Sequence, residues 1–178
     1  QERMVVAFVA DEGDGGSIFL GRFVPDGGID STFNGGNFQL YGGAGIQIPI
    51  GVGLQPDGKI IVVGSTAENG VPQVVVLRYD AGGTLDTTFG TVGKTLVLPN
   101  GGGDTPRDMV VLADGRILVG GNNPAGPFLM RFLADGTPYP TFGIGGVKTI
   151  FLGAEGVLES LTIGAQGRII LAGRRESQ

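Results

Sequence analysis

Apolar residues occur along the chain in short runs, separated by glycine, proline and polar residues. In the best defined stretch, the runs cover residues 108–112, 116–119, 127–132 and 147–152. They are rich in Val, Ile and Phe and carry no helical apolar period of useful length, so they predict short β-strands. Ala113-Asp114-Gly115 lies between the first two runs and predicts a hairpin turn, because glycine accepts the positive φ of such turns.

This pattern of strands and turns is repeated along the chain. One block begins as Leu54-Gln55-Pro56-Asp57-Gly58-Lys59-Ile60 and returns at 112–121 and 163–173. A second block carries an arginine and, further on, a phenylalanine in each copy: Arg22, Arg78 and Arg131, and Phe33, Phe89 and Phe142. Both markers are spaced by 56 and then 53 residues, so two independent features keep one period.

Each repeat contains four predicted strands, and the second strand is apolar on both faces, as in a strand between two neighbouring sheets. Four strands in each repeat, stacked on the next four, are typical of the blades of a β-propeller. We therefore predict an all-β fold, a β-propeller-like array of four-stranded antiparallel blades with about three units plus one strand. The approximate units are 1–47, 48–104, 105–157 and 158–178, in one repeat domain or a fragment of a larger propeller.

The two blocks, with Arg-Tyr followed by Gly-Thr-Leu-Asp-Thr-Thr-Phe-Gly at 83–90, closely resemble the delta-60 repeat. The resemblance covers nearly the whole chain. It implies a propeller-like architecture and a place in a secreted or surface protein of bacteria, with no catalytic residues to carry over. The third copy departs from the pattern, because Pro138 and Tyr139 stand where the second copy has Leu85 and Asp86. An interaction between Arg131 and that aspartate is therefore not expected.

Composition and charge exclude several classes of function. The 178 residues include no Cys and no His, which removes disulfides, thiolate and imidazole metal ligands, and the Ser-His-Asp triad. The net charge of −5 and the absence of a basic run exclude a nucleic-acid surface. No apolar run approaches the roughly 20 residues of a membrane-spanning helix, so we expect no membrane insertion. The start at Gln1 leads us to expect a processed or cut chain. Closed propellers need four to eight blades, which about three units cannot supply, so one expectation is that copies associate as a homo-oligomer.

The connections that differ most between the copies all fall at one end of the predicted sheets. They are residues 10–16, 65–73 and 122–126, together with 42–47, 99–107 and 153–159. Variable loops on one face of a repeat array are the usual place for binding. The candidate ligand-binding residues are the polar side chains of these loops: Asn69, Asn100, Asp104, Asn122 and Asn123.

One acidic loop raises the question of a metal. Asp11, Glu12 and Asp14 lie among glycines, and Ca²⁺ prefers oxygen ligands. The loop lacks the spacing and the terminal bidentate Glu of the twelve-residue calcium loop, so an acidic solvated turn is the competing interpretation. No other cofactor is expected.

The recurring residues have structural interpretations. Asp26, Asp57, Asp114 and Asp135 stand beside glycines and are expected to bond within their turns. The repeat arginines are expected to tie loops together through carboxylates or carbonyls. The repeat phenylalanines are expected to pack between adjacent sheets.

Three functions follow from this organisation. The first is a non-catalytic recognition or adhesion module of a secreted or cell-surface bacterial protein, which binds a protein or glycan partner through its variable loops. The second is a structural spacer or oligomerisation scaffold in a larger surface fibre. The third is a glycoside hydrolase that uses carboxylates alone, with Glu68, Asp104 and Glu155 as the candidates on the variable face.

Overall fold

The computed structural model describes residues 2–10, 16–42, 47–67, 70–151 and 156–175. Within these ranges, thirteen strands form four antiparallel sheets, and there is no α-helix. The first sheet contains β1 (Met4–Ala10), β2 (Ser17–Phe23) and β3 (Gln39–Tyr41). The second contains β4 (Gln47–Leu54), β5 (Ile60–Thr66), β6 (Gln73–Tyr79) and β7 (Lys94–Val97). The third contains β8 (Thr105–Val111), β9 (Ile117–Asn123), β10 (Gly126–Phe132) and β11 (Val147–Thr149). The fourth contains β12 (Gly156–Ile163) and β13 (Ile169–Arg175).

Each sheet is a meander, in which strands adjacent in sequence are also adjacent in space. Three short 3-10 segments connect strands, at Asn34–Gly36, Pro99–Gly101 and Ala165–Gly167. The strands β4, β8 and β12 each carry a register shift at the equivalent place, between Pro49 and Gly51, Pro106 and Asp108, and Leu158 and Ser160. Such bulges bend a strand and increase its twist, so these three strands share one irregularity.

The sheets stack face to face in chain order, with β4 packed against β8 and β8 against β12. Three apolar clusters fill the spaces between the first and second, second and third, and third and fourth sheets. Alternate residues of β5 serve two clusters, because Ile60 and Val62 face the first sheet while Ile61 and Val63 face the third. Antiparallel sheets that stack in this way are the blades of a β-propeller, which confirms the predicted fold class.

Two details differ from the predicted pattern. The third strand of the second unit, β6, is buried along its whole length, so it lies between neighbouring sheets as β5 does, which the sequence pattern did not predict. The last strand of the third unit ends at Thr149, short of the predicted 152. Ile150 N–H still bonds to Pro127 O, but Pro127 has no N–H to return, so the ladder stops there. Phe151 is consequently 90% exposed.

Candidate functional site

The repeat arginine of the second unit organises the turn end of the sheets, which we define as the end that carries the turns 55–59, 80–84, 112–116 and 133–137. Arg78 Nε donates to Asp86 Oδ2 at 2.9 Å, and another guanidinium nitrogen donates to Thr88 Oγ1 at 3.1 Å. The third donates at 2.7 Å to the carbonyl of Ala134, which lies in a turn of the next sheet. The guanidinium carbon lies 4.8 Å from the centre of the Phe89 ring. This arrangement, which we call the arginine clamp, ties one sheet to the next.

The first unit contains the same clamp. Arg22 donates to Asp30 at 2.8 Å, to Thr32 at 2.9 Å and to the carbonyl of Ala81 in the second sheet at 2.6 Å. The expected role of Arg22 and Arg78 in tying loops together is thus confirmed. The turn aspartates also bond as expected, since Asp26, Asp57, Asp114 and Asp135 each accept a backbone N–H two residues on.

The clamp phenylalanines pack between sheets. Phe33 and Phe89 are buried, and each ring lies against a glycine of the next sheet, Gly83 and Gly136 respectively. A Cβ added to Gly136 would lie 2.5 Å from Phe89 Cζ, so only glycine fits at this place. Phe142 of the third unit is only half-buried.

The clamp aspartates are held in their charged form. Hydrogen bonds from Thr32, followed by the hydrogen bond and charge of Arg22, lower the pKa of Asp30 to about 2. The hydrogen bond from the Thr88 hydroxyl is the largest cause that lowers the pKa of Asp86, with Lys59 and Arg78 adding to it. Both carboxylates therefore stabilise the fold in their ionised state.

The third unit keeps the backbone of the clamp but lacks its carboxylate. Tyr139 N–H bonds to Arg131 O at 2.8 Å, as Asp86 N–H bonds to Arg78 O at 2.9 Å. The guanidinium carbon of Arg131 lies 5.3 Å from the centre of the Tyr139 ring, and its buried Nε has no hydrogen-bond partner among the described residues. A buried donor without a partner costs on the order of 1–3 kcal/mol.

A cavity of about 530 Å³ lies beside Arg131, between the third and fourth sheets. Asp114 and Arg116, which form an ion pair with each other, also line it. Most of the remaining wall is apolar: Leu112, Leu118, Ile163 and Ile169. Sequence reasoning placed binding at the opposite end of the sheets and missed this cavity. The sequence signal in this region is the replacement of the repeat aspartate by Tyr139, which leaves Arg131 without that carboxylate.

At the opposite end, which we call the loop end, two of the sequence-predicted site residues come together. Asn123 Nδ2 donates to Asp104 Oδ1 at 3.1 Å and, at 3.3 Å, to the carbonyl of Pro99. Asp104 is fully buried, and its Oδ2 has no partner among the described residues. Burial raises the pKa of Asp104 to about 6 against the opposing effect of the Asn123 hydrogen bond.

Asn122 has a different role from Asn123, since its side chain is committed to the fourth sheet. Its amide donates to Leu158 O and accepts from Leu158 N–H, both at 2.8 Å, which anchors β12 to β9. Asn69 lies outside the described residues, as do Asp11, Glu12, Asp14, Glu68 and Glu155, and the side chain of Asn100 is not described either. The calcium loop and the pairing of hydrolase carboxylates therefore stay predictions.

Within the described ranges, no group of three or more Asp or Glu side chains is placed to hold a metal ion. In that same part of the chain, no helix is long and apolar enough to cross a membrane.

Comparison with known families supports the architecture. A family model described as a domain of unknown function (DUF5122), beta-propeller, matches residues 55–89 and 112–142. The two stretches begin at the turns before β5 and β9 and end at the repeat phenylalanines Phe89 and Phe142. Each match therefore covers the turn, the two central strands and the arginine-to-phenylalanine segment of its unit. A comparison with curated proteins finds no match. The findings support a β-propeller repeat family and are compatible with the delta-60 resemblance.

Proposed function

We propose that this β-propeller segment is a non-catalytic recognition module, which binds a protein or glycan partner through its loop end. We further propose that it acts in a secreted or cell-surface bacterial protein, as the resemblance to the delta-60 repeat implies. The two ends of the sheets are built differently, and this difference supports the proposal. At the turn end the arginine clamps join the first three sheets, whereas at the loop end the connections between strands differ most from copy to copy.

The observation that carries the proposal is a pair of exposed apolar side chains at the loop end. Val71 is 42% exposed and Leu98 is 48% exposed. They meet over Gly102, where an added Cβ would lie 2.5 Å from Val71 Cγ1 and 3.6 Å from Leu98 Cδ2. Val71 lies two residues before the buried strand β6, and Leu98 directly follows the half-buried strand β7. Exposed apolar groups on a rigid support are typical of contact surfaces and favour a protein partner over a glycan.

The test is a binding screen of the folded chain against an array of purified extracellular proteins and an array of glycans. The decisive variant carries Val71→Asp and Leu98→Asp. The matched control is Ile144→Asp, which places the same charge on a 91% exposed isoleucine at the turn end. We expect a partner whose binding is lost in the double variant and retained in the control.

Two outcomes would contradict the proposal. Equal loss of binding in both variants would show that the loop end is not the contact surface. A folded chain that binds nothing on either array would favour the structural spacer instead.

A further inference from the structure

Asp104 is a buried carboxyl group at the loop end that forms no ion pair with another described residue. Asn123 Nδ2 donates to its Oδ1 at 3.1 Å, and its Oδ2 has no partner within the described ranges. A carboxylate that is removed from water without an opposite charge is strongly destabilised. The structure around Asp104 therefore favours the neutral, protonated carboxyl group.

The charged residues nearest to Asp104 in sequence do not compensate it. Arg107 is exposed, and Asp108 bonds to the backbone of the fourth sheet. Burial and the Asn123 hydrogen bond therefore set the balance between the two forms of the carboxyl group. The described groups packed against Asp104 from other segments are all neutral: Pro72 O, which accepts from Asp104 N–H at 3.4 Å, Pro99 and Asn123.

The same groups hold the loop 98–104 in place. Asn123 Nδ2 donates to Pro99 O at 3.3 Å as well as to Asp104 Oδ1, so one amide joins the two ends of the loop. The three glycines at 101–103, which lie between these two contacts, have φ values of 94°, 111° and 76°. Glycine changes its backbone conformation at little steric cost. Release of the Asp104 contacts therefore frees a segment that deforms easily.

The equivalent position of the second unit carries a neutral side chain. Gln47 and Asp104 each stand two residues before the proline of a strand bulge, and the N–H of each bonds to a loop of the preceding sheet. Gln47 N–H donates to Gly16 O at 3.2 Å, and its side chain is also fully buried without a partner among the described residues. Because an amide does not ionise, a change of pH acts on Asp104 and not on Gln47.

We propose that Asp104 and Asn123 form a proton-controlled latch, which holds the loop 98–104 closed while Asp104 is protonated and lets it open more readily once Asp104 is ionised. Opening returns the carboxylate to water, where its charge is solvated. Leu98 begins this loop and meets Val71 over it. The latch therefore controls how rigidly the contact surface is presented, a consequence that rests on the function proposed above.

The direction of the effect follows from the two environments of the carboxyl group. Burial raises the pKa of Asp104 to about 6 in the closed loop, whereas a hydrated Asp has a pKa of about 3.9. The stabilising effect of the proton on the closed loop is therefore complete below about pH 4 and is lost as the pH rises through 6. Between pH 5 and pH 7 the equilibrium constant for opening should increase about tenfold.

The experiment is hydrogen exchange of single main-chain amides, followed by NMR on the whole chain at pH 5 and pH 7. Each rate is expressed as protection relative to the intrinsic rate of an unstructured chain at the same pH. We expect the protection of Asp104 N–H to fall about tenfold from pH 5 to pH 7. Gln47 N–H is the internal control and should change by less than about twofold. Constant protection of Asp104 N–H would overturn the proposal.

Two substitutions identify the group that titrates. Asp104→Asn keeps the size of the side chain and the acceptor for Asn123 but does not ionise, so the amide at position 104 should have equal protection at both pH values. Asp26→Asn removes an exposed carboxylate at the turn end and should retain the wild-type fall. A fall of the wild-type size in the Asp104→Asn variant would refute the latch. The exchange is measured without a partner, so its outcome is independent of the binding screen.

Discussion

The second and third units have the same backbone hydrogen bonds around their arginine but differ in the groups that pair with its charge. Arg78 is paired with Asp86, hydrogen-bonded to Thr88 and linked to the next sheet through Ala134. Arg131 sits at the equivalent position of the third unit, with an aromatic ring on one side and a cavity on the other. Backbone geometry therefore does not depend on the ion pair. The pair instead determines whether a carboxylate of the protein itself compensates the charge of the arginine.

The largest expected effect comes from Arg78→Ala. The change breaks a buried ion pair with Asp86 and removes the inter-sheet hydrogen bond to Ala134 O, while Lys59 still contacts the carboxylate and Gln55 still donates to the carbonyl. We expect a loss of about 3 kcal/mol, or on the order of 10 °C in melting temperature. Calorimetry or circular dichroism measures this shift. Arg131→Ala is the matched control and should change the melting temperature by no more than about 2 °C. Equal shifts in the two variants would contradict the difference between the units.

The next effect concerns the packing of the clamp phenylalanine. Gly136→Ala places a methyl group against the Phe89 ring at a φ of 87°, so steric overlap adds to backbone strain. We expect a loss of about 2 kcal/mol in urea unfolding.

Gly58→Ala is the control for backbone strain alone. Gly58 has a φ of 83°, and nothing lies within 4 Å of its added Cβ. It should cost about 1 kcal/mol. If it destabilises the fold as much as Gly136→Ala, the contact with Phe89 contributes nothing.

Tyr139→Asp should have a smaller effect, and it should increase the stability of the fold. A new charge-assisted hydrogen bond to Arg131 should stabilise the fold by about 1–2 kcal/mol. The gain should disappear when Arg131→Ala is added, which a double-mutant cycle of unfolding free energies measures. A gain that survives in the double variant would show that the aspartate acts elsewhere.

The smallest expected effect is a difference in how stability at the two ends of the sheets depends on pH. The pKa of Asp30 is lowered to about 2, so its contribution is present above about pH 4 and is lost as the pH falls toward 2. The pKa of Asp104 is raised to about 6, so its contribution is full below about pH 4 and is lost as the pH rises through 6.

Asp104→Asn isolates the loop-end titration. The variant should be more stable than the wild type by about 1 kcal/mol at pH 7 and no more stable at pH 4, because only the wild type must bury a charge at pH 7. Melting temperatures at pH 4, 5, 6 and 7 measure the difference. Parallel profiles for the two proteins would show that Asp104 does not titrate in this range.

Much of the turn end was predictable from the sequence, because its residues bond locally. Arg78, Asp86 and Thr88 lie within eleven residues of one another, and their spacing recurs in the first unit. Asp57 and Asp135 bond to backbone groups two residues away. Such contacts depend on turn geometry, which short sequence patterns specify.

The loop end was less predictable, because its groups come from distant parts of the chain. Asn122 and Asn123 are neighbours in sequence, yet one bonds to Leu158 in the next sheet and the other to Asp104. Alternation along a strand directs the two side chains to opposite faces, and only the stacking of sheets decides what each face meets.

The sequence by itself determined the all-β class, the repeat and the composition of each clamp, since these depend on local periodicity and on residue types at fixed spacings. The tertiary structure decided which residues end up buried between sheets, that Asp104 loses contact with water, and that a cavity lies beside Arg131. These properties depend on the approach of one sheet to another. The hydrophobic effect drives that approach without direction, so the pattern of apolar residues predicts that sheets stack but not which polar groups the stacking leaves without a partner.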